Sequence, residues 1–478
     1  MGGGRFSWAV RLLAVLIAAE TIASGAVLVL HPSPAGSAAL VRSVPTTSTS
    51  TTVAPDPTTL PPPPPTSTSA VARPAPVTTP VATDPVARLT ARLEAALGGV
   101  RSCLVVRDGS TPVYVRAGDL ALAPASTQKL LVAVAALDRL GPDYRFETTV
   151  VAPAPPAADG SVDALWLVGS GDPLLATPEY AAYLASQPRS VGTPLTPMTA
   201  LVDQLATAGV RAVHNGVHGD ASRYDGPLWL PGWKPIYRDE ADVSLLMALT
   251  ADGGLDRWTP TEVISPDPTT RAAAQLVHLL NGRGVPAAPA ATQARPAGGV
   301  VLARVASVPL ADIVASMLRS SDNLAAELLV KEMDKKAGGT GTTAGGLGVV
   351  AATVQRVGIP TAGLSMGDGS GLDPGDRTTC SALLAALDMG DRPGFGAITS
   401  GLAVAGRSGT LVNRFRGTPL AGHLMAKTGS IDCAVSMVGR LDLKRPLQFA
   451  LIVNGPCDYN AAIAYEDRVA NALLTYPD

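Results

Sequence analysis

No serine in this 478-residue chain has glycine at both flanking second positions, so the strained strand-to-helix elbow of a Ser-His-Asp hydrolase cannot form. Histidine is scarce, at 5 residues, and the pair His214 and His218 is separated by Asn215-Gly216, which reads as a turn and not as one metal-holding helix face. Cysteine is limited to Cys103, Cys380, Cys433 and Cys457, and no two of them have zinc-ligand spacing. Charge of one sign is also lacking: 37 Lys+Arg against 39 Asp+Glu give a formal net charge of -2 and a pI near 6.2. That balance offers no attraction for nucleic acid. The segment GTGTTA at 339–344 approximates a dinucleotide fingerprint but follows the polar run KEMDKK and no strand. No metal, organic cofactor or nucleic-acid partner is therefore expected.

Hydrophobic residues make up 46% of the chain and charged residues 16%, which at this length predicts two folded units plus a tail. Residues 12–30, LLAVLIAAETIASGAVLVL, are apolar apart from Glu20 and a few small polar residues, and Arg5 and Arg11 precede them. Such a run is long enough to span a bilayer. It reads as an export signal retained as an anchor, with residues 1–11 cytoplasmic and everything downstream outside. Cleavage of the segment would make the protein secreted instead. From 31 to 85 the composition falls to Pro, Thr, Ser, Ala and Val, including Pro61 to Pro65, the signature of an extended spacer.

The folded part opens with Asp84-Pro85 followed by Val86, Leu89, Leu93 and Leu97, an N-cap, a first-turn proline and one apolar helical stripe. Two short runs joined across Asp108-Gly109 predict an antiparallel hairpin. Residues 126–140 form an apolar helix stopped by Gly141-Pro142. Short apolar runs at 164–168 and 210–217, set among turn residues, predict an inserted mixed α/β domain over 151–255. The helical segment 269–280 is expected to return to the main domain. Helices at 309–319 and 324–333 flank Ser320-Ser321-Asp322-Asn323, and three strand-like runs between 420 and 454 make a terminal meander. The fold class that results is α+β, an antiparallel sheet covered by helices and formed by 86–150 and 256–478, with one inserted α/β domain.

Ser126 and Lys129 lie three apart at the start of a helix, one turn apart on one face, where hydroxyl and amine can share a proton. The chain has seven lysines, and Lys129 alone has serine three residues before it. A serine hydroxyl is a weak nucleophile until a neighbouring base takes its proton, and a lysine does this once its pKa is lowered. Ser321-Asp322-Asn323 falls in a break between helices, where a hydroxyl and a carboxamide can project into a cleft. Lys427-Thr428-Gly429-Ser430 ends a strand run and offers a cation and a hydroxyl for a carboxylate, with glycine allowing close backbone approach.

In this order, S-x-x-K, S-D-N and K-T-G match the signature of the serine penicillin-recognising enzymes. The stretches at 123–150, GSGDPLL at 169–175, LPGW at 230–233, SDNLAAELL at 321–329 and DGSGLDP at 368–374 narrow this. They resemble the class C low-molecular-mass penicillin-binding proteins, D-alanyl-D-alanine carboxypeptidases/endopeptidases of the penicillin-binding protein 4 type, over about residues 85–475. The resemblance implies a β-lactamase/DD-peptidase-like fold, peptidoglycan stem peptides as substrates and β-lactams as covalent inhibitors. It implies Ser126 as nucleophile, Lys129 as base, Ser321 and Asn323 as relay and amide holder, and Lys427, Thr428, Gly429 and Ser430 around the terminal carboxylate and oxyanion. Asp322 and Asp239 join the implied substrate-binding set. The family's D-G-S-G-L-S-R departs here to Asp373-Pro374 after Leu372, with Arg377 the nearest arginine, and its usual glutamine after K-T-G-S is replaced by Asp432.

Two further expectations come from the residues themselves. Cys433 and Cys457 flank a strand-turn-strand unit centred near Lys444-Arg445, which brings them to neighbouring positions and predicts a disulfide. Cys103 and Cys380 are left without assigned partners. Packing of the S-x-x-K helix on the K-T-G strand would set Lys427 beside Lys129 and lower the pKa of Lys129 by like charge together with partial burial. The alternatives to a peptidase are a β-lactamase, which shares the three motifs, and a penicillin-binding wall sensor that acylates without turnover.

Overall fold

The computed structural model describes residues 84–290, 295 and 298–477. The expected cytoplasmic tail, membrane segment and nearly all of the spacer lie outside the described residues. Among the described residues no helix is long and apolar enough to cross a membrane.

Helix α1 (Pro85–Leu97) begins where the Asp84 carboxylate accepts from Val86 N at 3.0 Å, and it buries Leu89, Leu93 and Leu97. Strands β1 (Arg101–Asp108) and β2 (Thr111–Arg116) form the hairpin, and helix α2 (Lys129–Leu140) follows a 3-10 turn at Ala125–Gln128. The chain then enters a second sheet with strands β3 (Glu147–Ala152), β4 (Leu165–Val168) and β5 (Val217–Asp220), helix α3 (Pro268–Gly282) and strand β6 (Val300–Ala306). Helices α4 (Leu310–Ser320), α5 (Asn323–Lys336), α6 (Thr343–Arg356) and α7 (Cys380–Met389) come next. Strands β7 (Ala403–Val404), β8 (Leu424–Ile431), β9 (Ala434–Leu441) and β10 (Leu447–Asn454) and helix α8 (Tyr459–Leu473) complete the fold.

The main sheet is antiparallel in the order β7-β8-β9-β10-β1-β2, so the terminal meander pairs with the opening hairpin. Alternation along these strands serves two faces. Cys103, Val105, Val438, Ala450 and Ile452 pack under α2, α4, α5 and α7, whereas Leu104, Val106, Met437, Phe449 and Leu451 pack against α1 and α8. The result is a three-layer α/β/α body with both sheet faces covered, the α+β class expected from the sequence.

The inserted segment is larger than 151–255. Its sheet has the order β6-β3-β4-β5, which draws Glu147–Ala152 and Val300–Ala306 away from the main domain. Helix α3 does not return to the main sheet: Ala272, Ala273, Leu276 and Leu280 share a core with Val150, Leu165 and Val217. The boundaries therefore sit near residues 147 and 306. A smaller cluster of Tyr224, Trp233, Tyr237, Leu246, Leu324, Leu328 and Leu372 welds the LPGW stretch to α5 and the D-G-S-G loop.

Cys103 of β1 is disulfide-bonded to Cys380 at the start of α7, and Cys433 is bonded to Cys457. His218 stacks on Trp166 with ring centroids 4.9 Å apart.

Candidate active site

The chain reaches Ser126 through a strained step, since Ala125 has φ 49. The expected helix start at 126 is instead the 3-10 turn, and α2 begins at Lys129. Two hydroxyls hold the turn: Thr127 Oγ1 donates to Pro124 O at 2.8 Å, and Ser436 Oγ of β9 donates to the same carbonyl at 2.5 Å. Gly429 of β8 pairs with Ser436, and a Cβ added there would lie 2.4 Å from Ser436 Oγ and 2.8 Å from Ser126 N. Only glycine lets the K-T-G strand run this close to the serine turn.

Lys129 is fully buried, and its Nζ lies 2.9 Å from Ser126 Oγ. It also reaches Asn323 Oδ1 at 2.6 Å and Ser370 O at 2.6 Å. Asn323 Nδ2 donates to Asp242 O at 2.8 Å, which fixes the amide so that its oxygen faces the lysine. Both Asn323 Oδ1 and Ser370 O can only accept. A neutral amine spends its two hydrogens on these carbonyls and turns its lone pair toward the Ser126 hydroxyl. This is the arrangement a general base requires.

The Lys129 amine is pushed down to about 8, chiefly by burial; Asp368, Glu327 and Asp322 pull it back up and Arg189 pushes it further down. Of the two expected causes burial leads, and Lys427 is not among the main contributors. Lys427 Nζ contacts Ser321 Oγ at 2.9 Å and Thr428 O at 2.5 Å. Burial first, and then the charges of Lys129 and Arg189, hold the Lys427 amine well below the ordinary lysine range. Ser321 is placed by the left-handed residue that caps α4, φ 61, so its hydroxyl leaves the helix toward the strand.

A cleft of about 310 Å³ opens over this constellation, lined by Ser126, Ser321, Asn323, Thr428, Gly429 and Ser430 on the catalytic side. Two residues of the implied set are elsewhere. Asp239 ends a four-residue helical turn that points it to solvent, and Glu240 and Asp242 face the cleft in its stead. Asp322 is the N-cap of α5, accepting from Ala325 N at 2.9 Å, and is not among the residues lining the cleft. Arg377 folds back to donate to Pro374 O at 2.8 Å and Asp376 O at 2.7 Å.

The arginines that do line the cleft, Arg189 and Arg414, were missed in the sequence. Arg189 comes from the inserted segment and donates from Nε to Ser320 O at 2.8 Å. Arg414 is held by Glu466 at 2.6 Å and Asp467 at 2.5 Å on α8. No local motif announces either residue. Thr410, whose Oγ1 lies 2.8 Å from that of Thr428, was missed as well. Asp242, pushed up to about 6 mainly by burial, and Asp432, paired with Lys234 at 2.7 Å, complete the rim.

A buried Ser-Lys pair beside a second lysine on an antiparallel sheet defines a serine acyl-transfer hydrolase of the penicillin-recognising class. Residues 86–262 and 257–475 match the D-Ala-D-Ala carboxypeptidase 3 (S13) family, and the chain belongs to that family. It is 33% identical over 403 residues to a carboxypeptidase of Mycobacterium tuberculosis, a match covering 81% of this chain and 82% of that protein. A D-alanyl-D-alanine carboxypeptidase of Actinomadura sp. is 29% identical over 463 residues, 80% of this chain and 82% of the relative. The crystal structure of penicillin binding protein 4 from Haemophilus influenzae superposes with a TM-score of 0.65 at 19% identity. That match covers 82% of this chain and 99% of the other, and it shows the shared fold.

Proposed function

We propose that this chain is a serine D-alanyl-D-alanine carboxypeptidase/endopeptidase that cuts peptidoglycan stem peptides through an acyl-enzyme on Ser126. The observation that carries the reading is the Lys129 amine, buried and hydrogen-bonded to two carbonyls with Ser126 Oγ at 2.9 Å. Lys129 Nζ takes the hydroxyl proton as Ser126 Oγ attacks the carbonyl of the scissile D-Ala-D-Ala bond. The backbone N–H groups of Ser126 and Ser430 are assigned to the developing oxyanion. Lys427 and Thr428 hold the terminal carboxylate, whose charge offsets the cost of a buried ammonium at Lys427. The proton returns to the departing D-alanine amine, with Ser321 bridging Lys427 toward the leaving group. Water then attacks the ester, again with Lys129 as base. A β-lactam presents a strained amide to the same serine and acylates it.

The apolar run 12–30 and the Pro/Thr spacer 31–85 support a protein held at the outer face of the cytoplasmic membrane, with the peptidase reaching the wall. A mature N-terminus beyond residue 31 in native protein would replace the anchor by a cleaved signal.

The test compares D-alanine release from a peptide ending in D-Ala-D-Ala with turnover of the penicilloyl-enzyme. Fast release beside a penicilloyl adduct lasting many minutes is expected. Rapid penicillin turnover would identify a β-lactamase, and acylation without peptide cleavage would identify a sensor.

A further inference from the structure

The D-G-S-G loop below the Ser-Lys pair carries a carboxylate that none of the reaction steps uses. Asp368 is fully buried. Its Oδ1 accepts from Gly371 N at 2.6 Å and from Gln128 Nε2 at 3.4 Å, and its Oδ2 accepts from Trp233 Nε1 and Asp373 N, each at 2.8 Å. Three N–H groups, of Gly371, Trp233 and Asp373, donate to the two oxygens and Gln128 Nε2 adds a longer contact, a set that a carboxylate accepting on both sides satisfies.

These donors come from three parts of the chain. Gln128 is the last residue of the serine turn and adjoins Lys129, and its Nε2 also donates to Asp368 O at 2.8 Å and Asp376 Oδ2 at 2.7 Å. Trp233 belongs to the LPGW stretch of the inserted segment. Gly371 and Asp373 belong to the loop whose Ser370 O receives the Lys129 amine at 2.6 Å. Gly371 has φ +82, and a Cβ there would stand 2.0 Å from Ala125 O, so the loop lies directly against the residue before the nucleophile. Glu327, one turn beyond Asn323 on α5, accepts from Gly369 N at 3.0 Å and Ser370 N at 2.7 Å and holds the loop from the other side.

We infer that Asp368 is the positioning residue of this site: it ties the serine turn and Trp233 to the loop that aims Ser370 O at Lys129, and it acts on the Lys129 amine through that loop. The groups facing Lys129 are Asp322 at the N-cap of α5, Asn323 and Glu327 from α5, Asp368 from the loop, Lys427 from β8, and Arg189 and Asp242 from the inserted segment. Burial, with the Asp368 charge second, holds the carboxyls of Asp376 and Glu327 above the ordinary carboxylate range. Among the carboxyl groups that favour the ammonium form of Lys129, Asp368 acts most strongly, ahead of Glu327 and Asp322.

This inference rests on Lys129 being the base, and the second-order acylation rate by a fluorescent penicillin, measured from pH 5 to 10, separates the two. Wild-type acylation should rise through an acid limb near pH 8, the value to which Lys129 is lowered. In Asp368→Asn, whose fold is checked by thermal melting, removal of the charge lowers the Lys129 pKa. The limb should move to lower pH by at least about half a unit, and the plateau should fall about tenfold as the loop loosens. A limb that stays in place or moves up would overturn the inference while leaving the Ser126 chemistry intact. A wild-type rate with no acid limb would instead remove Lys129 as the base. Trp233→Phe keeps the charge and deletes one donor, and decides the matter if Asp368→Asn does not fold. Its plateau should fall several-fold with the limb unmoved, and a wild-type plateau would overturn the link to the inserted segment.

Discussion

Ser126, Lys129, Asn323 and Lys427 reach the cleft from a helix start, a helix break and an interior strand of the six-stranded sheet, whereas Arg189, Glu240 and Asp242 reach it from the inserted segment. On the first wall the backbone is fixed by ladder pairing and by hydroxyl clamps such as Ser436 on Pro124 O. On the second wall the charged groups sit on turns and a short helical segment, and Arg189, through Ser320 O, and Asp242, whose backbone O accepts from Asn323 Nδ2, are bound back to the catalytic helices. In the proposed function, chemistry belongs to the first wall and substrate selection to the second. Damage to the first wall should affect every acyl donor alike, and damage to the second should depend on the size and charge of the substrate.

The largest effect is expected at Lys129. Lys129→Ala removes the base and should slow both penicillin acylation and D-alanine release by about 10² or more. A variant that lost peptide cleavage but kept penicillin acylation would break the comparison at its firmest point. Lys427→Ala should follow, at about 1.5–3 kcal/mol in kcat/KM, the worth of charged hydrogen bonds to a carboxylate. Penicillins and D-Ala-D-Ala peptides both carry that carboxylate and should lose alike.

Asp242→Asn tests the second wall. It should lower kcat/KM for a full stem peptide by about fivefold, near 1 kcal/mol, while benzylpenicillin acylation changes less than about twofold. The carboxyl is raised to about 6, so it is charged above that pH and neutral below it. Discrimination between wild type and variant should therefore appear as pH rises through 6 and vanish below it, in parallel peptide and penicillin assays.

The smallest effect on chemistry belongs to the buried disulfide between β1 and α7. Replacing both Cys103 and Cys380 by alanine should leave acylation rates nearly unchanged while destabilising the fold by about 2–5 kcal/mol, read as a lowered midpoint in denaturant.

The first wall was legible in the sequence because its chemistry is written in short spacings that helices and strands convert into geometry. S-x-x-K needs one helical turn, and K-T-G needs one strand that glycine allows to pass close to the serine. The second wall was not legible. Asp239 and Asp242 differ by three positions, and only the turn at Ile236–Asp239 decides which faces the cleft. The apolar stripe of α3 announces that the helix packs, but not against which sheet, so the insert's limits moved to about 147 and 306. What lowers the Lys129 pKa was legible only in part, as burial expected beside the charge of Lys427. Burial, not the neighbouring lysine, dominates, and the carbonyls that shape the amine come from residues 194 and 241 positions away.

The most direct measurement is the site of the penicilloyl adduct, found by proteolysis and mass spectrometry of wild-type protein and of Ser126→Ala after exposure to penicillin. The wild type should carry one adduct on the peptide containing Ser126, and Ser126→Ala should carry none and release no D-alanine. An adduct on any other residue, or one that persists in Ser126→Ala, would contradict the assignment of the nucleophile and the chemistry built on it.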